Sequence, residues 1–135
     1  MNKIVVNVAK TPKGYSASID ILQGWALGVT GDFSRFKKEL DESIAIYIKW
    51  AKQDGDIYPP VFDEQYQFEY KFDVESLLWH YNGIISRAAL SRLSGINERQ
   101  LGHYIRGRSH PKAEQSVKII NALHRLGKEL TSISV

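Results

Sequence analysis

The sequence predicts an α+β protein, in which a small β-β-β-α-β module precedes an all-α domain. Several short segments of the first half alternate apolar and polar residues, which is the period of a β-strand. Over residues 33–51, and again through the second half, apolar residues recur at steps of three and four, which is the period of a helix. Glycine, proline, asparagine or aspartate separates most of these segments, so each is predicted to be a short element.

Three strands are predicted before residue 31. Residues 3–10 (KIVVNVAK) are rich in β-branched side chains, and residues 15–21 (YSASIDI) alternate as the return strand of a hairpin. Pro12 and Gly14 between them are typical of a turn. Residues 25–30 (WALGVT) form the third strand.

One helix and a fourth strand complete the module. Asp32 is predicted to cap a helix that runs to about Ala51. Residues 54–64 hold two prolines and four acids, which predicts an irregular loop. Residues 65–72 (QYQFEYKF) alternate strictly, so their four aromatic residues share one face of a strand, as expected for core positions. As an edge strand it has unpaired backbone N–H and C=O groups, which can pair with the same strand of a second copy of the chain.

Four helices are predicted in residues 73–135. Ser86 and Asn97 are expected to cap the second and third, and Gly95 between these helices takes the place of a left-handed C-terminal glycine. Ile96 is expected to plug the turn, and Leu101 anchors the third helix. The small residue Ala89, the glycine Gly95 and the apolar residue Ile96 follow each other in the order found in a helix-turn-helix. This order predicts a helix-turn-helix, and the alternative is a generic pair of helices. Residues 112–130 form the last helix, with inward positions predicted at Val117, Ile120, Leu123 or His124, and Leu126 or Leu130.

Charge is distributed unevenly along the chain. Residues 1–72 contain 9 Lys or Arg and 10 Asp or Glu, whereas residues 73–135 contain 9 and 5. Six basic residues and one acid, Glu98, lie between Ser86 and Lys112. This pattern indicates either a surface that meets a polyanion or a solvated basic face, and charge alone does not choose between them.

If residues 97–106 form a recognition helix, its polar residues are candidates for contact with DNA. Arg99, Gln100 and His103 are the candidates for base edges, because arginine pairs with guanine and glutamine with adenine in the major groove. The competing interpretation of each arginine is a solvated surface residue, and of His103 a plain exposed histidine. Further contacts, with phosphates at the helix ends and loops, are predicted for Ser86, Arg87, Asn97, Arg106, Arg108 and Lys112.

Enzymatic chemistry has little support in the sequence. The first half has no histidine or cysteine and no glycine-rich phosphate loop. Asp20, on a predicted strand, is the one candidate carboxylate for a metal-dependent nuclease, but such chemistry needs several converging carboxylates. His80, His110 and His124 are interpreted as structural or surface residues. We therefore expect no catalytic residue, cofactor or metal. No signal peptide and no membrane span are predicted, which favours a cytoplasmic location.

Two segments resemble known families. Residues 86–111 (SRAALSRLSGINERQLGHYIRGRSHP) resemble the helix-turn-helix of the phage-repressor and Cro class. Residues 14–33 (GYSASIDILQGWALGVTGDF) resemble the HicB antitoxin family, with its glycine-aromatic turn and a strand that closes on Thr-Gly-Asp before a helix. The join, residues 72–111, is similar to the version of HicB that carries a repressor-type DNA-binding domain.

The HicB resemblance implies a type II toxin–antitoxin antitoxin. Residues 1–72 would be a partial ribonuclease H fold without catalytic carboxylates, which binds and blocks a small HicA-type ribonuclease and contributes to oligomers. Residues 73–135 would bind operator DNA and repress the protein's own operon, usually as a dimer or higher oligomer. No toxin-binding motif carries over residue by residue. The alternative is a stand-alone repressor with a sensor or oligomerisation module and no toxin. A sensor needs a pocket of roughly 300 Å³ or more, which the first half is expected to be too small to enclose.

Overall fold

The computed structural model describes residues 1–135 and has an α+β fold. The chain divides into two compact units, an N-terminal unit of Met1–Asp73 and a C-terminal unit of Val74–Val135. The elements of the N-terminal unit are β1 (Asn2–Thr11), β2 (Gly14–Ser18), β3 (Ala26–Thr30), α1 (Phe33–Asp54), a short 3₁₀ helix (Pro60–Asp63) and β4 (Tyr66–Phe72). The elements of the C-terminal unit are α2 (Val74–Tyr81), α3 (Arg87–Ser94), α4 (Glu98–Ile105) and α5 (Ala113–Thr131).

The four strands form one mixed sheet in the order β3-β2-β1-β4. β2 pairs antiparallel with both β1 and β3, whereas β4 pairs parallel with β1, from Asn2 opposite Tyr66 to Val8 opposite Phe72. Parallel neighbours need a crossover connection, and the segment containing α1 provides it by carrying the chain from β3 at one edge to β4 at the other. The predicted β-β-β-α-β order is confirmed.

α1 covers the apolar face of the sheet. Its N-cap is confirmed, because the carboxylate of Asp32 accepts a hydrogen bond from the backbone nitrogen of Arg35 at 2.8 Å. The helix continues beyond the predicted end at Ala51 to Asp54, where Gly55 adopts a left-handed conformation with φ 71°. Burying each large apolar side chain stabilises the folded state by about 1.5–3 kcal/mol relative to leaving it in water. The buried stripe consists of Phe36, Leu40, Ile44, Ile48 and Ala51.

An aromatic cluster joins α1 to the inner strand β2 and the edge strand β4. The ring of Phe33 lies 5.3 Å from that of Tyr15 on β2 and 5.4 Å from that of Phe72 on β4, measured between centroids. The other three aromatic residues of β4 also pack against the core, and the residues between them are exposed. The expectation that the β4 aromatics are core residues is therefore confirmed. Partial burial, and secondarily the charge of Asp41, raises the pKa of Tyr70 above its ordinary value.

Two local predictions in this unit are wrong. β2 ends at Ser18 and not at residue 21, so Asp20 lies in a turn, where its carboxylate accepts a hydrogen bond from Nδ2 of Asn7 at 2.9 Å. The turn forms there because the side chains of Ile19 and Leu22 both fold into the core. Part of the acidic loop is regular, since residues 60–63 form a 3₁₀ helix that buries Phe62.

The same loop is tied to the end of α1 by polar contacts. The hydroxyl of Tyr58 donates to the carboxylate of Asp63 at 2.8 Å, and Nζ of Lys52 lies 3.1 Å from the same carboxylate. The hydrogen bond from Tyr58, and then that from Lys52, lowers the pKa of Asp63. A lowered carboxylate pKa stabilises the fold above the ordinary value near 3.8, and this contribution disappears as the pH falls below it.

The C-terminal unit has its own core, built from one or two residues of each helix and Ile96 of the α3–α4 turn. In α5 the prediction of the inward face is wrong for Val117 and right for Leu123, which packs against the core. Val117 is exposed, Ile120 and Leu123 are half-buried, and Ile119 and Ala122 are the buried residues. Residues 116–123 (SVKIINAL) contain apolar side chains around most of the helix, so the period alone does not fix which of them faces inward.

Gly14 and Gly28 provide a matched test of the sheet. A methyl group at Gly14 would overlap the backbone carbonyl of Val29 on β3, whereas one at Gly28 has nothing within 4 Å. We expect Gly14→Ala to destabilise the protein by about 3 kcal/mol or more, because two paired strands must separate. Gly28→Ala should change the free energy of unfolding by less than about 0.5 kcal/mol. Urea denaturation followed by tryptophan fluorescence measures both free energies of unfolding. Equal effects of the two substitutions would contradict the register between β2 and β3.

Candidate nucleic-acid interface

A three-residue turn fixes α4 against α3. Oγ of Ser86 accepts from the backbone nitrogen of Ala89 at 3.0 Å and so caps α3. Gly95 ends α3 with φ 77°, a conformation that costs other residues about 1 kcal/mol. Ile96 then points into the core, and Asn97 caps α4 by accepting from the backbone nitrogen of Gln100 at 2.8 Å. Each of these four local predictions is confirmed.

α4 has one buried face and one polar face. Leu101 and Tyr104 are buried in the core of the C-terminal unit. Arg99, His103 and Arg106 follow each other at steps of four and three, which places them on one common side of the helix. Both arginines are exposed and His103 is half-buried. The helix therefore presents a basic stripe on the side away from its core contacts.

Gly102 lies within this stripe and is covered by two arginine side chains. A Cβ at this position would be 2.6 Å from Nη1 of Arg87 on α3 and 3.2 Å from Nη2 of Arg106 at the end of α4. The bare backbone of Gly102 therefore makes room for both guanidinium groups. Sequence reasoning missed this residue. The available signal was a glycine, a poor helix former, in the middle of a short predicted helix.

Gln100 has a different position from the other predicted base contacts. It is half-buried, and its Nε2 donates to Oγ of Ser109 at 3.1 Å. The backbone nitrogen of Arg108 donates to the carbonyl of His103 at 2.9 Å in the same turn. Gln100 thus holds the turn that contains Arg108 against α4. The hydrogen bond to Ser109 uses the side-chain nitrogen of Gln100 and not its oxygen.

The predicted phosphate contacts lie at helix ends and in turns. Ser86 and Arg87 begin α3, Arg106 and Arg108 follow α4, and Lys112 precedes α5, all of them exposed. No carboxylate forms an ion pair with any basic residue between 86 and 112, apart from the exposed His110, whose Nδ1 lies 2.8 Å from Oε1 of Glu75. The positive charge of the surface formed by α4 and the flanking helix ends is therefore not neutralised within the chain.

The N-terminal unit has an open groove between β3 and α1, with a volume of about 550 Å³. Its floor is apolar, and two of its residues are unusually exposed for their type, Trp50 at 62% and Ile46 at 47%. The groove was not predicted, although Ile46 and Trp50 are four residues apart and lie on one helix face. Its remaining lining residues are Trp25, Leu27, Glu39, Glu42, Ser43 and Tyr47.

No group of three or more His, Asp or Glu side chains is placed to hold a metal ion. None of the helices has the length and apolar character needed to cross a membrane. A second open groove of about 470 Å³ is lined by residues of all four strands.

Comparisons of the chain with protein-family models, curated proteins and solved structures find no match. A functional assignment therefore depends on the residues, their geometry and the sequence resemblance described above.

Ile96 and Ile84 test the turn that orients α4. Ile96 is 5% exposed in the turn, whereas Ile84 is 74% exposed in the loop before α3. We expect Ile96→Ala to reduce the free energy of unfolding by about 2–4 kcal/mol, because it leaves a cavity between helices. Ile84→Ala should cost less than about 0.5 kcal/mol. Chemical denaturation monitored by circular dichroism measures both values, and a small effect of Ile96→Ala would mean that the turn does not depend on this contact.

Proposed function

We propose that this protein is a DNA-binding antitoxin of the HicB type. Its C-terminal unit would act as a helix-turn-helix that represses its own operon, and its N-terminal unit, a partial ribonuclease H fold without catalytic activity, would bind and block a small HicA-type ribonuclease. The observation that carries the proposal is the polar face of α4, where Arg99, His103 and Arg106 are aligned and no carboxylate neutralises the arginines. A polyanion is the partner that such a surface fits.

In this proposal α4 enters the major groove. Arg99 is the second residue of α4, and the N-terminal part of a recognition helix penetrates deepest. Its guanidinium can donate two hydrogen bonds to the O6 and N7 atoms of guanine. His103, one turn later, reaches a neighbouring base pair or its phosphate. Gln100 has its amide nitrogen bound to Ser109, so its role is to hold the following turn and to offer its oxygen as an acceptor.

The two capping residues retain donors for phosphate oxygens. The hydroxyl oxygen of Ser86 accepts from Ala89, which leaves its O–H free to donate. Asn97 uses Oδ1 for the cap and keeps both hydrogens of Nδ2. Because each cap fixes its own side chain, these donors are positioned before DNA arrives. Arg108 and Lys112 add charge at the ends of the same surface.

A second copy of the chain would complete an operator-binding protein. β4 lies at the edge of the sheet and is seven residues long, from Tyr66 to Phe72. Such an edge offers unpaired backbone groups to an identical strand. A dimer formed there would present two recognition helices to half-sites about one turn of DNA apart.

The groove between β3 and α1 is the surface we propose for the toxin. The exposed Trp50 and the half-buried Trp25 line it, and aromatic residues are typical anchors of protein interfaces. Both charged residues in its lining are acids. Glu39 is paired with Arg35 at 2.9 Å, whereas Glu42 forms no ion pair. A small ribonuclease must carry a basic surface to bind RNA, so its charge complements Glu42 while its apolar residues cover the tryptophans.

A stand-alone repressor with a sensor module is the second candidate. The two grooves of the N-terminal unit, about 470 and 550 Å³, fall within the size range of small-molecule sites. Both are open at the surface, whereas small-molecule sites bury most of their ligand. This candidate predicts that a metabolite, and not a protein, changes the affinity for DNA.

Arg99→Ala tests the recognition helix. We expect the protein to bind a duplex from upstream of its gene in preference to a scrambled duplex, with an affinity that falls as salt increases. The substitution should remove about 1–3 kcal/mol of that preference, because a bidentate contact with a base is lost. Fluorescence anisotropy across a salt series measures the two affinities.

Lys118→Ala is the matched control for this measurement, because Lys118 is an exposed cation on α5, outside the predicted interface. It should leave the preference for the upstream duplex unchanged. Equal and weak binding of both duplexes by the unmodified protein would contradict a repressor. An equal loss of affinity in Arg99→Ala and Lys118→Ala would show that binding depends only on the total charge of the protein.

Trp50→Ala tests the groove. The partner is the product of a short reading frame beside the gene, and we expect Trp50→Ala to weaken binding at least tenfold by calorimetry, since an aromatic anchor typically contributes 2 kcal/mol or more. Ile57→Ala, at a fully exposed position of the same unit, is the control and should bind normally. Normal binding by both variants would place the toxin on another surface, and no binding by the unmodified protein would favour the stand-alone repressor.

A further inference from the structure

We infer that Arg87 and Arg106 together bind one phosphate group above the backbone of Gly102. The inference rests on the proposed function, because it names a phosphate of the DNA backbone as the ligand of this pair. It concerns a single anion held by two helices, which is more specific than separate contacts of each arginine with the duplex.

The geometry brings two cations to one glycine. A Cβ built on Gly102 would lie 2.6 Å from Nη1 of Arg87, and 3.2 and 3.5 Å from Nη2 and Nη1 of Arg106. The two guanidinium groups therefore pack against the same glycine and close to each other, although one comes from the first residue of α3 and the other from the C-terminal end of α4.

Electrostatics favours an anion beside this pair of guanidinium groups. Neither arginine has an ion pair with a carboxylate of the chain, and both side chains are exposed. Two like charges that approach each other repel, and an anion that accepts hydrogen bonds from both removes the repulsion. Arginine binds phosphate through its planar N–H groups, and two arginines can share the oxygens of one phosphate.

The backbone conformation does not explain why residue 102 is a glycine. Gly102 does not adopt a positive φ, so its conformation is open to any residue. It lies in the interior of α4, where glycine is less favourable than alanine. The nearest atoms that a side chain would meet all belong to Arg87 and Arg106. The absence of a side chain is therefore what allows the two guanidinium groups to come together.

A phosphate bound here would connect α3 with α4. It would fix the position of α4 along the DNA backbone, and through it the base pairs that Arg99 can reach. The site is then a positioning device for recognition and carries no sequence preference itself.

Inorganic phosphate and the upstream duplex are the two probes of this site. We would titrate the full chain with phosphate at constant ionic strength and follow Gly102 and the arginine Nε–H groups by nitrogen-15 NMR. Saturable shifts at these groups are expected in the unmodified protein, and their loss in Arg87→Gln and in Arg106→Gln. Gly102→Ala should weaken phosphate binding severalfold with both charges retained. Gly127→Ala, in α5 with open space around it, and Arg92→Gln, which removes an exposed α3 charge, are the controls and should bind normally.

The duplex gives the second readout. Arg87→Gln and Arg106→Gln should each weaken duplex binding about tenfold. The double variant should lose less affinity than the product of the two single losses, because both arginines bind the same phosphate. No saturable NMR response, or equal responses of Gly102→Ala and Gly127→Ala, would overturn the inference even if the duplex binds through Arg99. Phosphate binding without any duplex binding would instead refute the proposed function and leave a site for a free phosphate ion.

Discussion

The burial of Ile96 is the contact on which the candidate interface depends. Ile96 lies between two residues with strict conformations, a left-handed Gly95 and the capping residue Asn97. Because its side chain is in the core, α4 can adopt only a narrow range of orientations relative to α3. The alignment of Arg99 and Arg106, and the meeting of Arg87 with Arg106 above Gly102, both follow from that orientation. Ile96 thus sets the angle of the turn, while Leu101 and Tyr104 bind α4 itself to the same core.

Local chemistry accounts for the parts of the fold that were predictable. Asp32, Ser86 and Asn97 were identified as caps because a short polar side chain before an apolar period satisfies free backbone N–H groups. The strict alternation of residues 65–72 predicted a strand with an aromatic face, and β4 has that pattern. In each case the signal lies within a few neighbouring residues. The polar face of α4 was also predictable, since removing Leu101 and Tyr104 from the helix leaves mainly polar side chains.

The features that were missed depend on distant residues. β2 ends early because Ile19 and Leu22 turn into a core formed largely by later segments. The inward face of α5 depends on which of several apolar residues meets α2, α3 and α4, and its own period does not decide this. The groove and the covered glycine both require two elements to be placed side by side. Gly102 acquires its significance only when Arg87 is brought beside it.

The position of β1 has a consequence for synthesis of the chain. β1 is an inner strand, with β2 on one side and β4 on the other, and Asn2 pairs with Tyr66. The hairpin of β1 and β2 and the neighbouring β3 can assemble as the ribosome releases them, but the far side of β1 has no partner until β4 emerges. A pairing between such distant residues is slow to form, because a long loop must close first. During that interval a nascent chain exposes one backbone edge of β1. We therefore expect this delay to set the chaperone dependence and the aggregation of the nascent chain.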